Sequence, residues 1–551
     1  MSIDLPLTTP ERADAFRRLG IWRDRTVAEL FDESAARNSS KIAVVERNRT
    51  LTYAELKRLA DNLTGNMARL GLEPGQIVAI QTKNAVEFPL MNIACSRLGL
   101  IFMPMHDGWR DAELQHLLGL ARVPMLVIPG VYRDFDHAAM IREIRGNLPD
   151  LKHVFAIDGE HPGARAFSDL LGPATWTDAD ARAHRPDPDL PANVMLSGGT
   201  TSISKISPYS SNGFLAMLMS AAACADFNSE DVCAALAPAG TGATGYIFPI
   251  LMPLLHGAKS VILDRWGDPA EAVELIRSNK CTYAVGVPTQ LTRMIPAIEQ
   301  HSPQDFAALR AFLCTGASLP FDTGVAVERM MECEILTMYG ATDAGTVTMT
   351  ALGDPLEARL RSVGRVRPGF ECELRDPEGK KMAEGQRGEV CWRGPDKSWP
   401  YIGPRDQFEA VFDADGFYRS GDIGEFDANG FLYIVGRSKD MILRGARNIF
   451  PRTIEEQVIL HPSVLDVSVA AMPDPELGER ACAFVVLRPG KTLTFQEMIA
   501  FLKEKKLAIW QMPERLEIYD ELPRGPGGKV QKVQLTADIT RKLKQEAAGA
   551  A

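Results

Sequence analysis

Short apolar runs and helical patterns alternate through the first third of the chain. Residues 76–82 (QIVAIQT), 101–105 (IFMPM), 125–130 (MLVIPG) and 153–158 (HVFAID) have the length and composition of buried strands, and residues 88–98 have the spacing of a helix. Strands that alternate with helices predict a mostly parallel α/β sheet. Residues 175–191, rich in Asp, Pro and Ala, interrupt the pattern and read as a surface crossing. A second series follows, with strand-like runs at 260–263 (SVIL), 283–287 (YAVGV) and 311–316 (AFLCTG). From about Gly364 the runs shorten and are broken by Gly, Pro and Asp. ECELRD, GEVCWRG and GFLYIVGR there predict antiparallel hairpins and a barrel-like β unit. Beyond Lys439, helix patterns at 453–460 and 495–505 flank the runs VLDVSVAAMP and CAFVVL, which predicts a compact α+β module.

Composition narrows the class without naming it. A chain of 551 residues is too long for one core and predicts two or more domains. Its 45% hydrophobic and 24% charged residues are ordinary for a globular protein. The net charge of −10 argues against a general nucleic-acid binder. Nine scattered cysteines without a CxxC pair fit neither a zinc site nor a disulfide framework, and suit a reducing compartment. The N-terminus lacks the apolar run of a signal peptide, and the longest apolar stretches, 214–225 and 246–255, are too short to span a bilayer. These features lead us to expect a soluble cytoplasmic protein without integral membrane association. A homodimer is left open.

Five strings bring chemistry into the picture, in chain order SGGTTSISK (197–205), YGATDAG (339–345), YRSGD (418–422), GRSKD (436–440) and LPRGPGGKVQK (522–532). In the first, Gly198 and Gly199 offer backbone that can approach an oxyanion closely. Ser197, Thr200, Thr201 and Ser202 add hydroxyl donors, and Lys205 adds charge for a β- or γ-phosphate. The spacing is not that of a Walker loop, and a plain polar loop after a strand would give a similar string. YGATDAG follows the strand-like EILTM and so stands at a strand's carboxyl end, where α/β proteins bind ligands. In the last string, Lys529 stands behind Gly525, Gly527 and Gly528, a compact charge on a loop free to move.

Taken together and in this order, the strings resemble the adenylate-forming superfamily of acyl-CoA synthetases, stand-alone aryl-acid adenylases and luciferases. LTYAEL (51–56) and FPILMPLLHGA (248–258) extend the resemblance over nearly the whole chain. It implies activation of a carboxylic acid by ATP and Mg²⁺ to an acyl-adenylate, followed by transfer to CoA. Tyr339 and Gly340 would then face adenine, as would Gly316, Ala317 and Ser318 of LCTGASLP. Thr342 would meet a phosphate, Asp343 would hold Mg²⁺, Asp422 would grip the ribose hydroxyls, and Arg437 would support it. Lys529 would bridge the carboxylate and the α-phosphate. The resemblance also implies an N-terminal domain of residues 1–438 and a small mobile C-terminal domain of 439–551. The hinge would be Lys439, and Arg444, Gly445 and Arg447 would be swung in to meet CoA. Three positions depart from the family pattern: Ser202 stands where glycine is usual, Ser204 where proline is common, and Asp343 where glutamate is usual.

For the acyl group, the resemblance points to LAPAGTGATGYIFP (236–249), with Ala239, Gly240, Thr241 and Gly242 as its lining. Aryl-acid adenylases carry a His-Asn pair where this chain has Gly240 and Thr241. The missing pair argues against a catechol or salicylate, and the run of small residues predicts room for a bulky apolar acid, alicyclic or aryl. Three other readings stay open: a fatty-acid CoA ligase, an adenylase loading a carrier protein in trans, and a non-catalytic nucleotide-binding protein.

Overall fold

The computed structural model describes residues 7–196, 205–397, 399–403, 408–445, 447–524 and 530–549. The apolar runs of the first third build a seven-stranded sheet. Its order is Ile206–Ser210, Pro191–Leu196, Ile101–Met105, Ile77–Gln81, Met125–Ile128, His153–Ala156, Arg165–Ala166. All neighbours run parallel except the first pair. Every residue of Ile77–Gln81 and Ile101–Met105 is buried. Parallel strands are covered by helices on both faces, which is why they read as unbroken apolar runs.

The second series forms a nine-stranded sheet. Its order is Arg365–Val366, Gly345–Met349, Glu334–Ala341, Ala311–Cys314, Tyr283–Gly286, Val232–Ala235, Lys259–Ile262, Ile42–Glu46, Arg49–Thr52. The interior is parallel, and an antiparallel hairpin closes each edge. One of those hairpins comes from the N-terminal part of the chain: Val44, Val45 and Glu46 pair with Ser260, Val261 and Ile262. The two sheets therefore share a core. Phe102, Met125 and Phe155 of the first and Val44, Ile262, Tyr283 and Leu336 of the second belong to one buried cluster, with Tyr53, Phe88 and Phe214 from the helices between them. The LTYAEL string starts one of these helices, with Thr52 and Glu55 in a reciprocal capping box. Tyr53 donates to the Ala258 carbonyl at 2.6 Å, so the strings at 51–56 and 248–258 are two sides of one packing contact.

The hairpins expected after Gly364 form a four-stranded antiparallel sheet, Glu371–Arg375, Gly388–Arg393, Tyr418–Phe426 and Leu432–Arg437, in sequence order. One short turn, Ser438–Asp440, leads from it into the α+β module. There Gly478–Leu487 pairs with Val464–Asp474 and Arg515–Tyr519. Its alternate residues feed two cores, Ala481, Ala483 and Val485 on one face and Cys482, Phe484 and Val486 on the other. The large N-terminal and small C-terminal α/β architecture is the one expected. No helix among the described residues is long and apolar enough to cross a membrane.

Candidate active site

The YGATDAG string bends where two kinds of sheet meet. Glu334–Ala341 pairs in parallel with Ala311–Cys314 as far as Thr337, then turns back as a hairpin with Gly345–Met349. Thr342, Asp343 and Ala344 form the turn, past the carboxyl end of the parallel strands. A Cβ on Gly340 would stand 2.3 Å from the Gly345 carbonyl oxygen across the hairpin, so only glycine fits there. Tyr209 of the first sheet pins the turn: its hydroxyl donates to the Thr342 carbonyl at 2.7 Å and accepts from the Gly345 N–H at 3.1 Å.

On one side of this hairpin the structure brings together Tyr339, Asp422 and Arg437. Asp422 and Arg437 are register partners on neighbouring strands. The Asp422 carboxylate accepts from the Tyr339 hydroxyl at 2.6 Å and from Arg437 Nε at 2.7 Å. Burial, then the neighbouring Asp422 carboxylate, pushes the Tyr339 phenol well above its ordinary value, so it stays a donor. A carboxylate offers about four lone-pair sites, so Asp422 can still accept from vicinal hydroxyls. Gly316, Ala317 and Ser318 are exposed just past the end of Ala311–Cys314.

Lys205 and Asp343 meet at the turn itself, at 3.7 Å between Nζ and Oδ2. Asp343 Oδ1 is buried and has no hydrogen-bond partner among the described residues. Ser197, Gly198, Gly199, Thr200, Thr201 and Ser202 lie outside the described residues, and so does Lys529. Two neighbours gave no signal in the sequence. Lys397 is buried, donates to Ser207 Oγ and the Pro208 carbonyl at 2.7 Å each, and lies 4.8 Å from the centre of the Tyr209 ring. Burial holds its amine down to about 7, against the opposing pull of Asp343. Asp396 is fully buried and joins Arg367 at 2.7 Å and the Thr346 N–H at 3.0 Å. A charged residue is seldom fully buried without a partner, and nothing in the local string DKSW marks these two as interior.

Lys439 is exposed in the Ser438–Asp440 turn. Arg444 and Arg447 face each other across a two-residue hairpin turn that begins at Gly445, whose φ is +60°. Arg444 is paired with Glu514 at 2.7 Å, and Arg447 lies over the Trp510 ring. These residues stand in the C-terminal module, apart from the Tyr339–Asp422–Arg437 cluster.

At the expected acyl lining the structure corrects the sequence reading. Gly240 does not open space. A Cβ there would lie 2.2 Å from the Met105 carbonyl oxygen and 2.5 Å from His106 Cα. Gly245 is as tight, since a Cβ added to it would stand 1.8 Å from the Pro238 carbonyl oxygen. Both glycines serve close backbone packing. Ala239 is buried, and its N–H donates to Asn84 Oδ1 at 2.6 Å. The Thr241 hydroxyl donates to Pro238 O. A Cβ added to Gly242, whose φ is +72°, would meet the Met195 thioether at 3.8 Å. The chain then runs into a nine-residue π-helix, Ala243–Leu251. Met103 and Met105 are buried in the apolar cluster that includes Leu126 and Val194.

Comparisons with known proteins identify the family. Residues 31–401 match the model of the AMP-binding enzymes, and residues 453–529 match that of the AMP-binding enzyme C-terminal domain. The chain belongs to this adenylate-forming family. Among curated relatives, a medium-chain fatty-acid–CoA ligase of Escherichia coli K12 is 31% identical over 551 residues, covering 99% of this chain and 96% of the relative. A salicylyl-CoA synthase / salicylate adenylyltransferase of a Streptomyces species is also 31% identical, covering 96% of each chain. Among solved structures, ATP-bound MatB from Rhodopseudomonas palustris superposes with a TM-score of 0.82 at 25% identity, over 93% of this chain and 99% of that one. The anthranilate–CoA ligase AuaEII superposes with a TM-score of 0.85 at 22% identity, over 95% and 98%, a likeness of fold.

Proposed function

We propose that the protein condenses a carboxylic acid with ATP to an acyl-adenylate and then transfers the acyl group to CoA, giving acyl-CoA, AMP and pyrophosphate. The observation that carries this reading is the paired geometry about one hairpin. A carboxylate suited to a diol, Asp422, is bonded to Tyr339 on the strand of the hairpin, and a cation–carboxylate pair, Lys205 and Asp343, stands at its turn. A nucleoside fits the first and its phosphates the second. In this reading a carboxylate oxygen of the acid attacks the α-phosphorus while the bond to the bridging oxygen of pyrophosphate breaks. Lys529 stabilises the charge that develops there, and Thr342 and the 197–205 loop hold the phosphate oxygens. Gly316, Ala317, Ser318 and Gly340 pass the base. Magnesium binds nucleotide phosphates through one or two carboxylates. Asp343 Oδ1, buried and without a hydrogen-bond partner among the described residues, fits that demand, and the ion would supply charge neutralisation when bound.

The second step needs a thiol at the same acyl carbon, with AMP leaving. We assign it to the C-terminal domain, residues 439–551, turning about Lys439 to bring Arg444, Gly445 and Arg447 to the CoA nucleotide and pantetheine. A hinge residue must absorb a change of φ and ψ, and the exposed Ser438–Asp440 turn has no side-chain cap to resist one. For the acid, the missing His-Asn pair at Gly240 and Thr241 argues against a hydroxylated ring, and our first reading is a ring-bearing apolar acid. A medium-chain fatty acid is the second reading, favoured by the relative from E. coli. Transfer to a carrier protein is the alternative second step. The test is pyrophosphate release across aromatic, alicyclic and straight-chain acids, each alone, with CoA and with a pantetheinylated carrier protein. Release with a ring-bearing acid and thioester formation with CoA support the proposal. Release with none of the acids overturns it.

A further inference from the structure

We propose that Tyr401 is a positioning residue for Lys205, its ring face holding the ammonium group at the hairpin turn, where nucleotide phosphates would meet it. The inference rests on the adenylate-forming reading, in which Lys205 serves a β- or γ-phosphate, and adds to it a residue outside the five sequence strings. Lys205 Nζ lies 4.6 Å from the centre of the Tyr401 ring and 3.7 Å from Asp343 Oδ2. A cation over an aromatic ring and within about 6 Å of its centre is attracted by the negative face. The two residues are also tied through the backbone. Ile402 and Ile206, the next residue in each segment, form an antiparallel bridge in which the Ile402 N–H donates to the Ile206 carbonyl at 2.9 Å.

The ring itself is fixed. Tyr401 is 9% exposed and belongs to the apolar cluster that contains Ala344, the neighbour of Asp343. Phe408 and Phe412 meet it edge-on, at 5.6 and 6.2 Å between ring centres. Lys397 Nζ is farther from the ring, at 6.0 Å, and is bonded to Ser207 Oγ and the Pro208 carbonyl. Asp343 faces Tyr401 as well. Burial, then that carboxylate, holds the phenol well above its ordinary value, so it stays neutral. A lysine is a compact charge on a flexible stem, and ordering it costs rotamer entropy. Asp343 alone would order it only by cancelling the charge that phosphates require. A ring face restrains the ammonium without cancelling that charge.

The test is calorimetric titration of the full-length protein with ATP in excess Mg²⁺ and, separately, with AMP, which lacks the β- and γ-phosphates. Tyr401→Leu removes the ring. It should weaken ATP binding roughly five- to tenfold, the size of a partly desolvated cation–ring contact. AMP binding should change by less than about twofold. Tyr401→Phe keeps the ring and should bind ATP within about twofold of the wild type. In a Lys205→Gln background, Tyr401→Leu should cost little more, because the group it positions is gone. Equal losses for ATP and AMP, a Tyr401→Phe protein as weak as Tyr401→Leu, or additive effects in the double variant would each overturn the proposal. If urea unfolding shows Tyr401→Leu to be unfolded, a trifluorinated phenylalanine at position 401 carries the test. It keeps the shape of the ring and removes the negative charge of its face. ATP should then bind several-fold more weakly than to Tyr401→Phe, and an unchanged affinity would overturn the idea. A wild-type protein that binds neither nucleotide brings down the adenylate-forming reading and this inference with it.

Discussion

Replacing Gly240 by alanine should destabilise the large domain and leave acid preference almost untouched. The added methyl would stand 2.2 Å from the Met105 carbonyl oxygen and 2.5 Å from His106 Cα. That is more than an ångström inside the roughly 3.5–4 Å of ordinary contact between heavy atoms. Both neighbours are backbone atoms, so no rotamer change relieves the overlap. The strand they end is fully buried, and the His106 carbonyl is held by Gln81 Nε2 at 2.9 Å. Overpacking of a core costs about 1–3 kcal/mol, and the rigidity here places Gly240→Ala near about 3 kcal/mol. For a unit this large that corresponds to a fall of roughly 3 °C in the thermal midpoint. Gly242→Ala is the control. Its methyl has room, 3.8 Å from Met195 Sδ, but its φ of +72° makes any side chain strained, at about 1–2 kcal/mol. Scanning calorimetry of both variants, with pyrophosphate release across the acid panel, checks the ordering. A Gly240→Ala protein with an unchanged midpoint and a preference shifted toward smaller acids would refute this account and restore an open acyl wall.

Three other outcomes can be tested, the first resting on the proposed function. Lys529→Ala should lower acyl-adenylate formation by roughly 10²–10³, the typical cost of losing a positioned electrostatic stabiliser. Conversion of pre-made adenylate and CoA should persist, and equal losses in the two half-reactions would contradict the assignment. Tyr339→Phe removes the 2.6 Å bond to the Asp422 carboxylate; at about 1.5–3 kcal/mol for a hydrogen bond to a charged group, urea stability of the large domain should fall by that order. An unchanged unfolding midpoint would count against it. In the C-terminal module, hydrogen bonds from Tyr519, Arg541 and Lys542 hold the Asp538 carboxyl down to about 2. A depressed carboxyl contributes stability that is fully present above its ordinary value of 3.8 and is lost as pH falls toward 2. The side chain is partly exposed, so solvent screening limits this to about 1 kcal/mol or less. Asp538→Asn should flatten urea stability between pH 4 and 2, and an acid slope like that of the wild type would show that the carboxylate contributes nothing.

The parts of the fold legible in the sequence are those where local pattern and burial coincide. Ile77–Gln81 and Ile101–Met105 were readable because a parallel strand buried on both faces must be apolar throughout. The helix after Thr52 was not read, although its capping residues Thr52 and Glu55 are a local signal. The Ile42–Thr52 hairpin was not, since its partner strand lies more than two hundred residues away. Its docking is settled by a core that no local window contains. Glycine was the most ambiguous letter. At Gly340 and Gly240 alike it marks backbone approach, whereas the sequence alone admits open space as an equal reading. Lys397 and Asp396 were illegible for the opposite reason. Charged residues announce solvent, and only the surrounding partners, Ser207, Arg367 and the Thr346 amide, show that these two are interior.

That interior charge explains why the candidate site can draw on three separate sheets and still be one object. Tyr209 and Lys205 come from the first sheet and its edge, Thr342 and Asp343 from the second, and Asp422 and Arg437 from the four-stranded unit. Apolar packing is non-directional and would let such elements slide by fractions of an ångström at small cost. Hydrogen bonds to buried groups would not, because each broken one leaves an unsatisfied group worth about 1–3 kcal/mol. The bonds fall where the three units meet: Tyr209 to the Thr342 turn, Tyr339 to Asp422, Asp396 to Thr346, and Lys397 to Ser207. Precision at the hairpin therefore comes from polar ties laid over an apolar core. Arg437, which completes the grip on Asp422, is also the last residue before the Ser438–Asp440 turn. A rotation at the proposed hinge would act directly on the strand that carries it, so the proposed nucleotide grip and the domain position would be coupled through this residue.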